Sequence, residues 1–166
     1  MKLLDLKVTD FLIWGNQDKH TLGKNLHVIL RLNTANYFHI MDLLTLEIHK
    51  IGSKSSFYAT DVNVHLAKMV TTKWNYNVSK DRPIFLKDIK PRELYVEKID
   101  PLSAKLFMVF RNGSETLGVI DFKNLSYQLI DHNSGFSKKE VYPATLKHPI
   151  VFRVQDREIT WSPSCV

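Results

Sequence analysis

The sequence has little cysteine and no long hydrophobic run. Its single cysteine, Cys165, stands next to the last residue, so no intramolecular disulfide can form, as is typical of a reducing compartment. The longest uninterrupted apolar stretch, 106–110, has five residues, whereas a membrane-spanning helix needs about 20. Asp5, Lys7 and Asp10 interrupt the apolar residues near the N-terminus. We therefore expect no signal peptide, no transmembrane segment and an intracellular location.

Common catalytic signatures are also absent. The sequence contains no G-x-G-x-x-G, no G-x-S-x-G and no H-E-x-x-H motif. Gly52-Ser53-Lys54-Ser55 has the look of the end of a phosphate-binding loop, but the upstream glycine that the motif requires is missing. One cysteine and seven histidines without metal-finger spacing do not predict a zinc site. We expect no cofactor and no metal, and the balance favours a non-enzymatic protein.

Size and composition predict one globular domain. The chain has 166 residues, of which 44% are hydrophobic and 24% charged, values that are ordinary for a soluble domain. No internal repeat, low-complexity tract or Gly/Ser-rich linker divides it. All six prolines lie at or after Pro83, which indicates a more segmented second half. We expect residues 1–166 to form a single domain.

Positive charge is concentrated in one part of the chain, residues 49–80, which we call the basic stretch. Of the formal net charge of +6, the basic stretch supplies four, because its five lysines are opposed by Asp61 alone. Residues 1–48 and 81–100 are each neutral, and residues 101–166 add the remaining two positive charges. The five lysines are Lys50, Lys54, Lys68, Lys73 and Lys80.

Aromatic side chains interleave with these lysines. Lysines attract phosphates, and aromatic rings stack on unpaired bases. We therefore predict a nucleic-acid or other polyanion partner. The candidate binding residues are Lys50, Lys54, Lys68, Lys73, Trp74, Tyr76 and Lys80. The competing interpretation is a solvated lysine-rich face whose aromatic rings pack into the core.

A helix is predicted over residues 34–51. Tyr37, Ile40, Met41, Leu44, Ile48 and Ile51 recur at helical spacing and form one stripe. Asn33 suits the N-cap position, and Gly52 suits the position after the last turn. Leu43 and Leu46 stand on the other side, so the helix is apolar on more than one face. Such a helix is either enclosed by the fold or part of an interface.

Most of the remaining chain predicts β-strands. Residues 4–8 and 26–32 alternate between apolar and polar side chains, and residues 61–70 fit a strand or a helix. Residues 105–110 and 116–122 flank Asn112-Gly113, a strong signal for a two-residue type I′ hairpin. Further strands are predicted at 126–130, 150–154 and 158–161. The predicted fold class is α+β, with the helix packed on a mostly antiparallel sheet.

Two groups of polar residues are candidates for metal binding or catalysis. Asp61, Asn63 and His65 share one face if their segment is a strand, and this pattern fits a metal site or the solvent side of a strand. Asp121 and Lys123, with Asp100 upstream, fit a Mg²⁺-dependent nuclease in which carboxylates hold the metal and lysine polarises water. Acid-x-Lys triplets are common in a chain of this composition, so the second pattern has little specificity.

Three functions follow from these features. The first is a small basic binding module that contacts nucleic acid or another polyanion through the basic stretch. The second is a structural or assembly protein that self-associates, or contacts a protein partner, through the predicted helix at 34–51. The third is the Mg²⁺-dependent nuclease using Asp100, Asp121 and Lys123. The first is favoured, because the charge partition is the least ambiguous of the three signals.

Overall fold

The described residues are almost entirely extended chain in antiparallel pairs. The computed structural model describes residues 3–7, 9–14, 26–32, 38–50, 64–70, 74–79, 81–99 and 105–163. Within these ranges there is no α-helix, and the only helical segments are short 3₁₀ turns. Nor do these ranges contain any helix with the length and hydropathy that crossing a bilayer demands.

The chain divides into two compact units. Unit 1 comprises Met1–Lys73 and Pro149–Val166, and unit 2 comprises Trp74–His148. The expectation of a single domain stays a prediction. The strands are numbered β1 to β14 in chain order: Phe11–Trp14, Leu26–Leu32, Phe38–Asp42, Ile48–Lys50, Val64–Met69, Tyr76–Val78, Ile84–Phe85, Leu94–Val96, Leu106–Asn112, Thr116–Asp121, Ser126–Asp131, Glu140–Leu146, Ile150–Val154 and Arg157–Trp161.

Unit 1 is an antiparallel sheet with both faces packed. Its strands follow the order β4-β3-β2-β1-β5-β13-β14. One face buries Val28, Leu30, Met41 and Phe152, and the other buries Leu12, Ile29, Ile40 and Val64. The 3₁₀ segment Leu3–Asp5 covers the second face through Leu3, which packs in the same cluster. Trp161 Nε1 donates to the Leu43 carbonyl at 3.1 Å, which joins the last strand to the turn after β3.

Unit 2 is likewise built from antiparallel strands. Its order is β11-β10-β9-β8-β12-β6, and β7 pairs with the start of β12. A 3₁₀ segment, Leu86–Asp88, covers one face. Leu86 and the following Ile89 pack there on a cluster that also contains Tyr95, Val109, Leu117, Val119, Ile130 and Val141.

The predicted helix at 34–51, and with it the α+β fold class, is wrong. Within that span the chain forms β3, a turn over 43–45 and β4, while residues 33–37, 51 and 52 lie outside the described residues. Ile40 and Met41 are each 0% exposed, although they point to opposite faces of β3. Because both faces are packed, the strand lacks period-two alternation, and its buried residues fell by coincidence at helical spacing. The predicted self-association depended on this helix, so the structure gives that prediction no support.

A side-chain cap replaces the predicted helix turns between β3 and β4. Asp42 Oδ1 accepts the backbone N–H groups of Leu44 and Thr45, at 2.8 and 3.2 Å. Leu46 then adopts a φ of 62°, and its N–H donates to the Asp42 carbonyl at 2.7 Å. Aspartate is typical of such turns, because its carboxylate can bind the backbone two residues ahead.

The other predicted strands are largely found. The strands predicted at 26–32, 126–130, 150–154 and 158–161 correspond to β2, β11, β13 and β14, and the described part of 61–70 contains β5. The predicted strand at 4–8 is wrong, because residues 3–5 form the 3₁₀ segment of unit 1.

The central hairpin of unit 2 is confirmed, but its turn differs from the prediction. Strands β9 and β10 pair, with Asn112 opposite Leu117 as the last residue of β9. The reversal lies over residues 113–115, with the Gly113 N–H donating to the Thr116 carbonyl at 3.0 Å. Neither Asn112 nor Gly113 has a positive φ, so the type I′ turn is wrong. The Asn112 side chain is instead hydrogen-bonded to the carbonyls of Lys87 and Ile89.

One glycine of this hairpin is required by packing. The pairing register shifts between Gly118 and Val119, which leaves Phe110 as the extra residue of a bulge. The Phe110 ring lies over Gly118, where a Cβ would be 2.5 Å from the ring atom Cζ. Only glycine leaves room for an aromatic ring at this distance from the backbone.

Candidate polyanion-binding surfaces

Two lysines of the basic stretch are among the described residues. Lys50 ends β4 and Lys68 lies in β5, and both side chains are exposed. Lys54, Lys73 and Lys80 lie outside the described residues. Lys68 is the strand partner of Arg153, whose guanidinium pairs with the Glu158 carboxylate at 3.2 Å. Two cations therefore lie side by side at this position, and a carboxylate partly neutralises one of them.

The sheet of unit 1 places Lys50 and Lys68 apart. Lys50 is opposite His39 and shares a face with Leu30, whereas Lys68 shares the other face with Leu12. The strand order also puts β4 and β5 four strand spacings apart, a separation of about 19 Å along a sheet. These two lysines are thus positioned to contact different phosphates rather than one.

The predicted stacking residues lie in unit 2. Trp74 stacks on Phe122, with ring centroids 4.4 Å apart and an interplanar angle of 23°. Tyr76 lies in β6, where it is half-buried and pairs with Leu146 of β12. One face of the Trp74 indole is therefore occupied by another ring of the fold, in keeping with the core-packing interpretation of this side chain.

The two chemical constellations have structural roles where they are described. Asp121 Oδ1 accepts the N–H of Lys123 at 2.8 Å, and Asp121 Oδ2 accepts Asn124 Nδ2 at 3.1 Å, so this carboxylate caps the β10–β11 turn. Asp100, Asp61 and Asn63 lie outside the described residues. His65 Nδ1 lies 3.1 Å from Gln155 Nε2, in hydrogen-bond range. Over the described ranges, no cluster of three or more His, Cys, Asp or Glu has a metal-binding arrangement.

A further exposed surface of unit 2 was missed in the sequence. It consists of Phe85, Lys87, Phe136 and Lys138, and we call it the Phe–Lys corner. Phe85 is 43% exposed and Phe136 is 67% exposed. Lys87 is half-buried, and its ammonium lies 5.6 Å from the centroid of the Phe85 ring, within the range of a cation–π contact.

Backbone hydrogen bonds hold the two halves of the Phe–Lys corner together. Phe85 belongs to β7, and Phe136 belongs to the 3₁₀ segment Gly135–Lys138. The Leu86 N–H donates to the Lys139 carbonyl at 2.8 Å, and the Lys139 N–H donates to the Phe136 carbonyl at 3.2 Å. The sequence does contain a signal, because Ile84, Phe85 and Leu86 are consecutive apolar residues of which a strand buries only alternate members.

Comparisons with known proteins add no relationship. A scan against protein-family models, a search of curated proteins and a search of solved structures each found no match. Functional inference for this chain therefore depends on its charge distribution and on the geometry of its exposed side chains.

Proposed function

We propose that this chain is a non-enzymatic module that binds nucleic acid or a similar polyanion through the basic stretch. One observation carries the proposal. Residues 49–80 hold four of the six net positive charges, and both of their described lysines, Lys50 and Lys68, are exposed. Each exposed ammonium can neutralise a phosphate and release a condensed counterion, which is the main source of sequence-independent affinity.

Lys50 and Lys68 lie on opposite faces of the sheet, so one polyanion can contact both only if it passes around the sheet. Their separation, about 19 Å along the sheet, is far greater than the reach of a single phosphate group. A long, regularly charged ligand is therefore favoured over a small anion. Lys54, Lys73 and Lys80 enter the proposal through their place in the basic stretch alone.

The test is the salt dependence of binding to a labelled duplex of about 20 base pairs and to a single strand of equal length. Each phosphate contact contributes about 0.7–0.9 to the log–log slope, so the variant K50A/K68A is expected to flatten that slope by about 1.4–1.8. Affinity for unrelated sequences falls equally, because phosphate contacts carry no sequence information.

A charge-matched control separates local from global effects. Lys7 and Lys105 are exposed and lie outside the basic stretch, so K7A/K105A removes the same charge from elsewhere. The proposal predicts that this control changes the slope less than K50A/K68A does. Equal slopes for the two double variants, or no binding by the unmodified chain at low salt, overturn it.

A further inference from the structure

We propose that the Phe–Lys corner of unit 2 binds single-stranded nucleic acid, with Phe85 and Phe136 stacking on unpaired bases and Lys87 and Lys138 contacting the backbone phosphates. This inference rests on the proposed function, that the chain binds nucleic acid, and it specifies the ligand class and a second contact surface. Phenylalanine rings stack on any base, because every base has a π-face.

The Phe–Lys corner presents its rings from fixed backbone. Phe85 is held in β7 by pairing with Glu140. The turn that carries Phe136 is fixed by Ser137, whose Oγ is 2.6 Å from the His132 carbonyl oxygen and 2.8 Å from that of Ser134. Ser137 is 0% exposed. Backbone fixed in this way loses little conformational freedom when a base stacks on the rings that it carries.

The local charge of the Phe–Lys corner favours an anionic partner, with an excess of one lysine once the Glu97 carboxylate that pairs with Lys139 is counted. Residues 84–90 and 134–140 together contain four lysines and two acidic residues. Lys139 pairs with Glu97 at 2.9 Å, whereas Lys138, two residues after Phe136 in the chain, is exposed. An aromatic ring with a nearby ammonium group matches the alternation of base and phosphate along a single strand.

Glu140 favours a nucleic acid over a membrane surface. This residue is the strand partner of Phe85 and is exposed. Inserting the Phe85 ring into a bilayer would draw the neighbouring carboxylate out of water, which is unfavourable for a charged group. Beside a stacked base, the same carboxylate stays hydrated and can accept a hydrogen bond from an amino group such as cytosine N4.

The test measures binding of the full chain to a labelled mixed-sequence single strand of about 20 nucleotides and to a duplex of the same length. Phe85→Leu and Phe136→Leu retain apolar bulk but remove the planar ring. Each is expected to weaken single-strand binding by about 5- to 150-fold, the value of one stacked base. Duplex binding and the salt slope stay unchanged. Phe136→Tyr keeps the ring and retains affinity.

Controls separate this surface from general hydrophobicity. Leu129 is also in unit 2 and is 48% exposed, so Leu129→Ala is expected to leave single-strand binding unchanged. Unchanged single-strand affinity of both Phe→Leu variants overturns the inference. It is equally overturned if these variants lose binding to phosphatidylserine-containing vesicles while keeping single-strand affinity.

The outcomes distinguish this inference from the proposed function. If the unmodified chain binds neither nucleic acid at low salt, both fail. If K50A/K68A flattens the salt slope while the Phe→Leu variants bind like the unmodified chain, only the Phe–Lys corner is refuted. If the Phe→Leu variants lose single-strand affinity while K50A/K68A behaves like its control, the corner holds and the basic stretch is refuted.

Discussion

Units 1 and 2 cover one face of their sheets in the same way but anchor the cover differently. In unit 1 the cover is the 3₁₀ segment Leu3–Asp5, and in unit 2 it is Leu86–Asp88. Each inserts a leucine that is almost completely buried, Leu3 at 2% and Leu86 at 3% exposure. In each unit a single short turn therefore covers the sheet face, as a helix does in many sheet proteins.

The anchors of the two covers are of different kinds. In unit 1, backbone groups bind backbone groups: the Thr9 N–H donates to the Ile29 carbonyl at 3.0 Å, and the Ile29 N–H donates to the Asp10 carbonyl at 2.9 Å. In unit 2, a backbone bond from the Leu86 N–H to the Lys139 carbonyl at 2.8 Å is joined by a side-chain anchor, because Asn112 Nδ2 donates to the carbonyls of Lys87 and Ile89 at 2.9 and 2.8 Å. Backbone anchors tolerate substitution, whereas a side-chain anchor depends on one residue.

The largest predicted effect concerns the two buried leucines. Leu86→Ala removes the apolar side chain that fills the space beneath the cover of unit 2, and we expect a loss of about 2–5 kcal/mol in the free energy of unfolding. Leu3→Ala is the matched change in unit 1 and is expected to fall in the same range. Chemical denaturation measures both. If either variant loses only a few tenths of a kcal/mol in unfolding free energy, its cover does not contribute to the core.

The second prediction tests the anchors themselves. Asn112→Ala leaves the carbonyls of Lys87 and Ile89 without their donor and removes the contact at 2.9 Å with His132 Nε2. We expect a loss of about 2–3 kcal/mol in unfolding free energy. In unit 1, Asp10→Ala removes only the 2.8 Å bond from the Lys7 N–H and is expected to cost about 0.5–1 kcal/mol.

Hydrogen exchange localises these losses. The amide protons of β9 and β10 report on unit 2, and those of β1 and β2 report on unit 1. Asn112→Ala should accelerate exchange in the first pair and Asp10→Ala in the second. Equal stability losses for the two substitutions would contradict the distinction between side-chain and backbone anchors.

The last prediction concerns high pH, since no loss from this source is expected near neutral pH. The cover of unit 2 encloses Tyr95, which is 2% exposed, whereas the described members of the buried cluster under the cover of unit 1 are aliphatic. Burial raises the pKa of the Tyr95 phenol well above its ordinary value of 10.0, and the carboxylates of Glu97 and Asp121 raise it further. Tyr95 thus stays neutral in the folded chain when it ionises in the unfolded one.

Stability from Tyr95 is fully present below about pH 10 and is lost as the pH rises above that value, because the unfolded state then binds fewer protons. The expected loss is about 1.4 kcal/mol for each pH unit above 10. Tyr95→Phe should remove this part of the slope, as measured by denaturation at several alkaline pH values. An unchanged slope in the variant would show that other groups govern alkaline unfolding.

Local pairing explains which parts of the fold could be predicted. Strands β9, β10 and β11 pair with their neighbours in the chain, as do β13 and β14. The apolar pattern and the turn residues between these strands were therefore sufficient to predict that the strands exist. The helix prediction was wrong for residues 38–50 because Ile40 and Met41 are buried on opposite faces of a strand. The sequence does not reveal this pattern unless it is known that both faces of the unit 1 sheet are packed. The type I′ turn predicted at Asn112 was wrong because the Asn112 side chain bonds Lys87 and Ile89, which are distant in the sequence.

The candidate sites divide in the same way. Lys50 and Lys68 are both exposed, and the pairing register of the strands determines that they lie on different faces of the sheet. The Phe–Lys corner combines Phe85 and Phe136, which are far apart in the chain. The charge count along the sequence did not reveal the lysines of the Phe–Lys corner, because residues 81–100 are neutral as a group.

The bond between Trp161 and the Leu43 carbonyl has a consequence for synthesis on the ribosome. It joins residues 118 positions apart, and β5 likewise finds its partner β13 only after all of unit 2 has been made. The nascent chain can assemble unit 2 once β12 has emerged, while β5 still presents an unpaired edge. Unit 1 is therefore the last to be completed, and the exposed β5 edge is where a nascent chain stalled before Ile150 would recruit a chaperone or aggregate.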